Sequence, residues 1–100
     1  MKLHPLVVCA DGFSMSVQAN GGAYCSPRVE GAKKYDTVEI GFPNRQEDLL
    51  MRYCEEREKP TETVYAYVPA WVVGLVLAKH GGIVEGEVPN GIPYLKVVPP

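Results

Sequence analysis

The spacing of apolar positions along the chain changes several times, and each change marks an element. Residues 6–10 are a continuous apolar run, the pattern of a strand buried on both faces and central in its sheet. Beyond Asp11-Gly12 the pattern becomes strict alternation, with Phe13, Met15, Val17 and Ala19 on one side and Ser14, Ser16 and Gln18 on the other. An Asp-Gly pair between two such runs predicts a β-hairpin closed by a type I′ turn, with positive φ at both central residues. Asn20-Gly21-Gly22 ends this second strand, at 13–19, and residues 23–34 read as irregular. Residues 35–42 form a third strand, with Val38, Ile40 and Phe42 on one face, stopped by Pro43.

Asn44 followed three positions later by Glu47 is a capping pair, and it predicts a short helix over 45–56, with an extended excursion as the competing reading. Residues 61–68 form a fourth strand. Its alternation sets Val64, Ala66 and Val68 toward the core and Thr63, Tyr65 and Tyr67 away from it. Pro69 suits the first position of a helix over 70–80, where its missing N–H costs nothing. Lys79 and His80 suit the negative end of that helix's dipole, and Gly81 supplies a left-handed cap. A strand at 83–88, a turn at Pro89-Asn90-Gly91 and a last strand at 92–98 complete the pattern.

These elements predict a single domain over 1–100 of the α+β class. Its mostly antiparallel sheet has about five to six strands, with one main helix, at about 69–80, packed on it. That helix is apolar around nearly its whole circumference, so it needs cover on more than one side. A chain of 100 residues has a small core. The expectation is therefore a homo-oligomer with Trp71, Val72, Leu75 and Val76 at its interface. The alternative cover is the second helix or the C-terminal tail.

Composition narrows the function classes. The formal net charge is −2, and the ten Lys and Arg residues are scattered rather than striped. That weighs against a duplex nucleic-acid binder, which needs clustered cations. The longest apolar stretch, 70–78, is too short to span a bilayer, and the first residues lack a signal-peptide core, so no membrane partner is expected. Cys9, Cys25 and Cys54 are an odd number with no C-x-x-C pair, which fits reduced thiols in a soluble intracellular protein. No pair of Cys or His has metal-ligand spacing, so neither a metal nor a cofactor is expected, and Cys9 reads as a small buried hydrophobe.

The catalytic constellations are thin. Phosphate-loop motifs are missing, although the amides of Gly21-Gly22 remain a candidate anion nest. Cys25-Ser26-Pro27-Arg28 places a thiol beside a guanidinium. A nucleophile there needs His4 or His80 as its base, and the plainer reading is a proline loop with a structural cysteine. The charged run at 55–59 reads as a solvated face, and Glu85 with Glu87 as protection of a strand edge. No catalytic residue is assigned, and the chain is read as a binding protein rather than an enzyme.

The candidate ligand-binding residues are Tyr24, Arg28, Ser14, Ser16, Tyr65 and Tyr67. Rings to stack on, a guanidinium for phosphate and small hydroxyls suit a nucleotide or a protein partner. The competing reading makes the tyrosines half-buried strand formers.

The segments Ala10-Asp11-Gly12-Phe13-Ser14-Met15-Ser16-Val17-Gln18-Ala19, Tyr24-Cys25-Ser26-Pro27-Arg28, Val38-Glu39-Ile40-Gly41-Phe42-Pro43 and Thr63-Val64-Tyr65-Ala66-Tyr67-Val68-Pro69 resemble a family of short accessory proteins encoded by tailed phages and prophages. The resemblance runs over most of the chain and carries no catalytic motif, so no functional residue is transferred by it. It implies a phage accessory protein made in the host bacterial cytoplasm. Such proteins often inhibit host defence by stoichiometric binding, either sequestering a nucleotide immune signal or blocking a defence protein in the manner of an anti-CRISPR. A small virion-associated structural protein is a further alternative.

Overall fold

A computed structural model of the chain describes residues 2–98. Five strands form one antiparallel sheet in the order β4-β3-β2-β1-β5: β1 (Val7–Cys9), β2 (Ser14–Gln18), β3 (Thr37–Gly41), β4 (Val64–Pro69) and β5 (Ile83–Glu85). One main helix, α1 (Ala70–Lys79), packs on the sheet, which makes the fold α+β. No helix among the described residues is long and apolar enough to cross a membrane.

The alternation of β2 is realised as read. Phe13, Met15, Val17 and Ala19 are buried, while Ser14, Ser16 and Gln18 are half-buried on the opposite face. β1 is interior to the sheet, but only Val7 and Cys9 are fully buried, since Val8 shares the open face with Ser14.

The Asp-Gly turn differs from the type I′ expectation. Only Gly12 has positive φ, at 90°, and the loop is three residues long, 10–12, with Cys9 N–H donating to Phe13 O (2.8 Å) and Gly12 N–H to Cys9 O (3.0 Å). That is a turn followed by a left-handed glycine bulge. Its cause is the Asp11 carboxylate, which accepts from Phe13 N–H (2.9 Å) and so holds its own residue outside the left-handed region.

Predicted helix 45–56 shrinks to a 3-10 helix at Asp48–Tyr53 capped by Glu47, whose carboxylate accepts from Leu49 N–H (2.9 Å). Asn44 is occupied elsewhere. Its side chain accepts from Ser14 N–H and donates to Gly12 O, so it fastens the hairpin instead of starting a helix.

β4 departs most from its pattern. Val38 pairs with Val68 and Ile40 with Tyr65, so two steps along β3 match three along β4. This bulge breaks the expected alternation: Val68 inward and Tyr67 outward are as expected, but Tyr65, expected outward, changes side. Tyr65 is fully buried beside Val68, Tyr67 is turned out, and Ala66 is half-buried. Phe42, expected inward, adopts φ 49° after Gly41 and stands 58% exposed.

The last predicted strand, 92–98, reduces to one parallel bridge between Ile83 and Lys96. Pro93 offers no amide and packs over Gly74 of α1, which draws this segment onto the helix. On α1, Val72, Val73, Val76 and Leu77 are buried against the sheet while Trp71 and Leu75 face out. Val72 and Val76 therefore belong to the chain's own core and leave the expected oligomer interface. Part of the helix's second side is lined by Pro93, Tyr94 and Leu95 of the tail.

Candidate functional site

Tyr24, Arg28 and Tyr67 converge on one exposed patch. The turn after β2 is built by buried Asn20, whose side-chain oxygen accepts from the amides of Gly22 and Ala23, both at 2.8 Å. Ala23 and Cys25 then point inward, and the residue between them, Tyr24, points out. Glu39 of β3 accepts from Tyr24 N–H at 2.9 Å, and Tyr24 O accepts from Tyr67 N–H at 3.1 Å. The second bond is made because the β4 bulge takes Tyr67 out of the ladder.

Tyr67 holds φ 51°, a left-handed conformation that is costly for an aromatic residue. The two rings lie with centroids 6.0 Å apart and planes inclined by 38°. Arg28 stands 5.4 Å from the Tyr24 centroid and donates to Gly22 O at 3.2 Å. Tyr24 is 41% and Tyr67 47% exposed. A flat ring sandwiched between two others needs about 7 Å, two contact distances of about 3.5 Å. The separation is shorter, so a planar group stacks on an outer ring face beside the guanidinium rather than sliding between the rings.

The remaining expected ligand residues lie elsewhere. Tyr65 is in the core, its hydroxyl donating to Pro60 O, and burial holds that phenol well above the usual tyrosine range. Ser16 accepts from Gln18 and faces Gly41, and Ser14 lies further along β2 near Asn44. Gln18 pairs with Glu39 at the end nearest Tyr24, so Ser14, four residues away, is roughly 13 Å down the strand. The amides of Gly21 and Gly22 are taken by Glu30 and Asn20, so the anticipated anion nest is filled from within.

Two of the three thiols, those of Cys9 and Cys25, are shielded, and Cys54 is half-buried. Cys25 is buried, with its Sγ–H directed at Asn20 O (3.3 Å) and Pro27 O (3.6 Å). Burial, reinforced by Asp11 and opposed by Arg45, pushes the Cys9 thiol up to about 11, so it is a neutral thiol at physiological pH. Neither is exposed for nucleophilic attack.

A second polar cluster was not legible in the sequence. His80, at the end of α1, is buried between Asp11 Oδ2 on Nδ1 and Glu47 Oε1 on Nε2, both at 2.6 Å. Its ring stacks on Phe13 with centroids 4.1 Å apart. Arg45 donates to the same Asp11 oxygen at 2.8 Å, and Lys79 to Glu47 Oε2 at 2.9 Å. Each ring nitrogen faces one carboxylate oxygen, so the imidazole bridges Asp11 and Glu47. With both nitrogens engaged and the ring covered, this group clasps the hairpin turn, the 3-10 segment and the helix end together. The carboxylates sit on opposite ring nitrogens, and no group of three or more His, Cys, Asp or Glu among the described residues is placed to hold a metal ion.

The clasp predicts acid lability. Burial raises Glu47's tendency to stay protonated, but hydrogen bonds from the Leu49 amide, Lys79 and His80 outweigh it and set the carboxyl below its ordinary 4.5. Asp11 is held below its ordinary 3.8, first by His80 and then by the Phe13 amide. The unfolded chain therefore binds protons more readily, so this stabilisation is fully present above about pH 4.5 and is lost as pH falls below it. The urea midpoint should fall steadily from pH 5 to pH 3, and Glu47→Gln should flatten that slope; an unchanged slope in the variant refutes the assignment.

Sequence reasoning found Tyr24, Arg28 and Tyr67 from residue type but missed His80, whose partners lie 69 and 33 positions away along the chain. No family model, curated protein or solved structure matches the chain, so the site rests on its own geometry.

Proposed function

We propose that this chain is a small non-enzymatic binding protein that captures a nucleotide on the Tyr24–Tyr67–Arg28 surface, and that it serves a phage by sequestering a nucleotide signal of host defence. The observation that carries the ligand class is the pair of exposed tyrosine rings 6.0 Å apart with the Arg28 guanidinium beside Tyr24. Rings offer a stacking face to any base, and a guanidinium matches phosphate oxygens with a fork of N–H donors. The strained backbone at Tyr67 supports the reading, because such strain concentrates where a side chain is held for a task. The buried thiols of Cys9 and Cys25 and the fully engaged His80 favour binding over covalent chemistry. The sequestering role and the phage setting rest on the resemblance of the sequence segments.

Isothermal titration against a panel of cyclic dinucleotides and ADP-ribose-type nucleotides tests this. At least one should bind, and Tyr24→Ala should weaken it by about 5- to 150-fold, the range of one lost base–aromatic stack of about 1–3 kcal/mol. Tyr67→Gly should lose affinity similarly while keeping or raising thermal stability, since glycine accepts φ 51° without strain. Absence of heat with every nucleotide refutes the ligand class. A stable host protein retained in pull-downs would then favour the protein-inhibitor alternative.

A further inference from the structure

We propose that the face built by α1 and the C-terminal segment is the docking surface for a second copy of this chain, giving a two-fold dimer. α1 turns Trp71 and Leu75 away from its own core. Pro93 is seated on Gly74, where an added Cβ would stand 2.7 Å from Pro93 Cγ. Trp71, Leu75, Ala78, Pro93, Tyr94 and Leu95 then border an open apolar groove of about 370 Å³. Trp71 is 65% and Leu95 71% exposed. One face thus carries both projecting side chains and the depression that receives them. Self-complementarity of this kind is what a two-fold contact requires, because the same patch meets itself.

The sheet edge points the same way. Ile83 N–H donates to Leu95 O (2.7 Å) and Val97 N–H to Ile83 O (2.8 Å), so 95–97 lies along β5 as an extra edge. Strand alternation sends the amide and carbonyl of Lys96 to the outer side, where neither has a partner among the described residues. An extended edge bearing exposed apolar side chains is a template for strand pairing. Antiparallel pairing of this edge with its own copy places the two-fold axis across the sheet and keeps both helices on one face, where the Trp71 and Leu75 surfaces meet. A register centred on Leu95 sets Lys96 opposite Tyr94 and avoids facing ammonium groups.

The area suits a second copy. The exposed parts of Trp71, Leu75, Tyr94 and Leu95 amount to on the order of 500 Å², within the upper range for an apolar patch on a monomer; the sheet edge and the surrounding polar rim bring it toward the ~800 Å² per partner of a stable interface. No carboxylate borders the groove, and neighbouring Lys79 is already held by Glu47, so closing the face strands no carboxylate.

Sedimentation equilibrium of the full chain, from about 5 to 200 μM, is the test. The wild type should approach twice its 11.0 kDa mass as concentration rises. Trp71→Glu and Leu95→Glu alter exposed positions, so both should keep the wild-type circular dichroism and weaken the dimer at least 100-fold. Lys96→Pro removes the outward amide and should weaken it at least tenfold. A wild type that stays at the monomer mass overturns the proposal, as does a dimer indifferent to Trp71→Glu and Leu95→Glu. A dimer lost in those two but untouched by Lys96→Pro overturns the edge pairing. Nucleotide binding at Tyr24 and Tyr67 plays no part in these outcomes.

Discussion

Replacing His80 by Ala should lower the unfolding free energy by about 3–5 kcal/mol, the cost of removing one partner from a buried charged network. The Glu47 side chain is only 1% exposed and accepts from His80, Lys79 and the Leu49 amide. Without the imidazole, one of its oxygens keeps a buried charge with no donor, and the Phe13 ring loses the surface it stacks on. Domains of this size are stable by only about 5–15 kcal/mol, so the loss is a large fraction of the total. Thermal melting followed by circular dichroism should show a drop of at least about 12 °C, taking 4–8 °C per kcal/mol. Asp11→Asn should cost less, because the Asp11 side chain is 41% exposed and water replaces part of what it loses. A His80→Ala protein melting within about 4 °C of wild type would show that the clasp contributes little.

The sequence exposed those parts of the fold whose cause is local. The period-two pattern of 13–19 depends only on which residues alternate, and it places Phe13, Met15 and Val17 inside. Pro69, the apolar run after it and Gly81 bound α1 closely. Failures arise where a distant contact overrides a local preference. A single extra residue in β4 carries Tyr65 into the core, and nothing in Thr63–Val68 differs from a regular strand in composition. Left-handed backbone at Phe42 and Tyr67 is invisible to a reading that looks for glycine there. Asn44 and Glu47 resemble a helix start, yet Asn44 is drawn to the hairpin and Glu47 to His80.

The candidate site divides along the same line. Residue type pointed to Tyr24, Arg28 and Tyr67, and the fold joins them through a backbone bond between Tyr24 and Tyr67. The same reasoning chose Tyr65, because it assumed the regular alternation that the bulge breaks. Ser14 and Ser16 share a face with Gln18 as read, but a shared face extends the length of a strand, and only its Gln18 end approaches Tyr24.

Gly86 carries the other large expected effect. It follows β5 at φ 92°, and a Cβ there would stand 2.1 Å from Leu6 O, 2.7 Å from Leu6 C and 2.8 Å from Val7 Cα. Every one of these atoms is backbone, so no side-chain rotation makes room. Relief requires β5 to move off β1, which breaks the pairing of Val8 with Glu85 and unseats Ile83, a fully buried core residue. Gly86→Ala should therefore cost about 2–5 kcal/mol: the left-handed strain of about 1–2 kcal/mol plus the overpacking of about 1–3 kcal/mol. Gly12→Ala separates the two contributions. Gly12 has φ 90° but nothing within 4 Å of the added Cβ, so it should show only the backbone strain. Denaturant unfolding of both variants measures the difference directly. Equal losses would mean that the approach of Leu6 to Gly86 yields without cost; a deficit confined to Gly86→Ala beyond the shared strain would locate a rigid contact between β1 and the turn after β5.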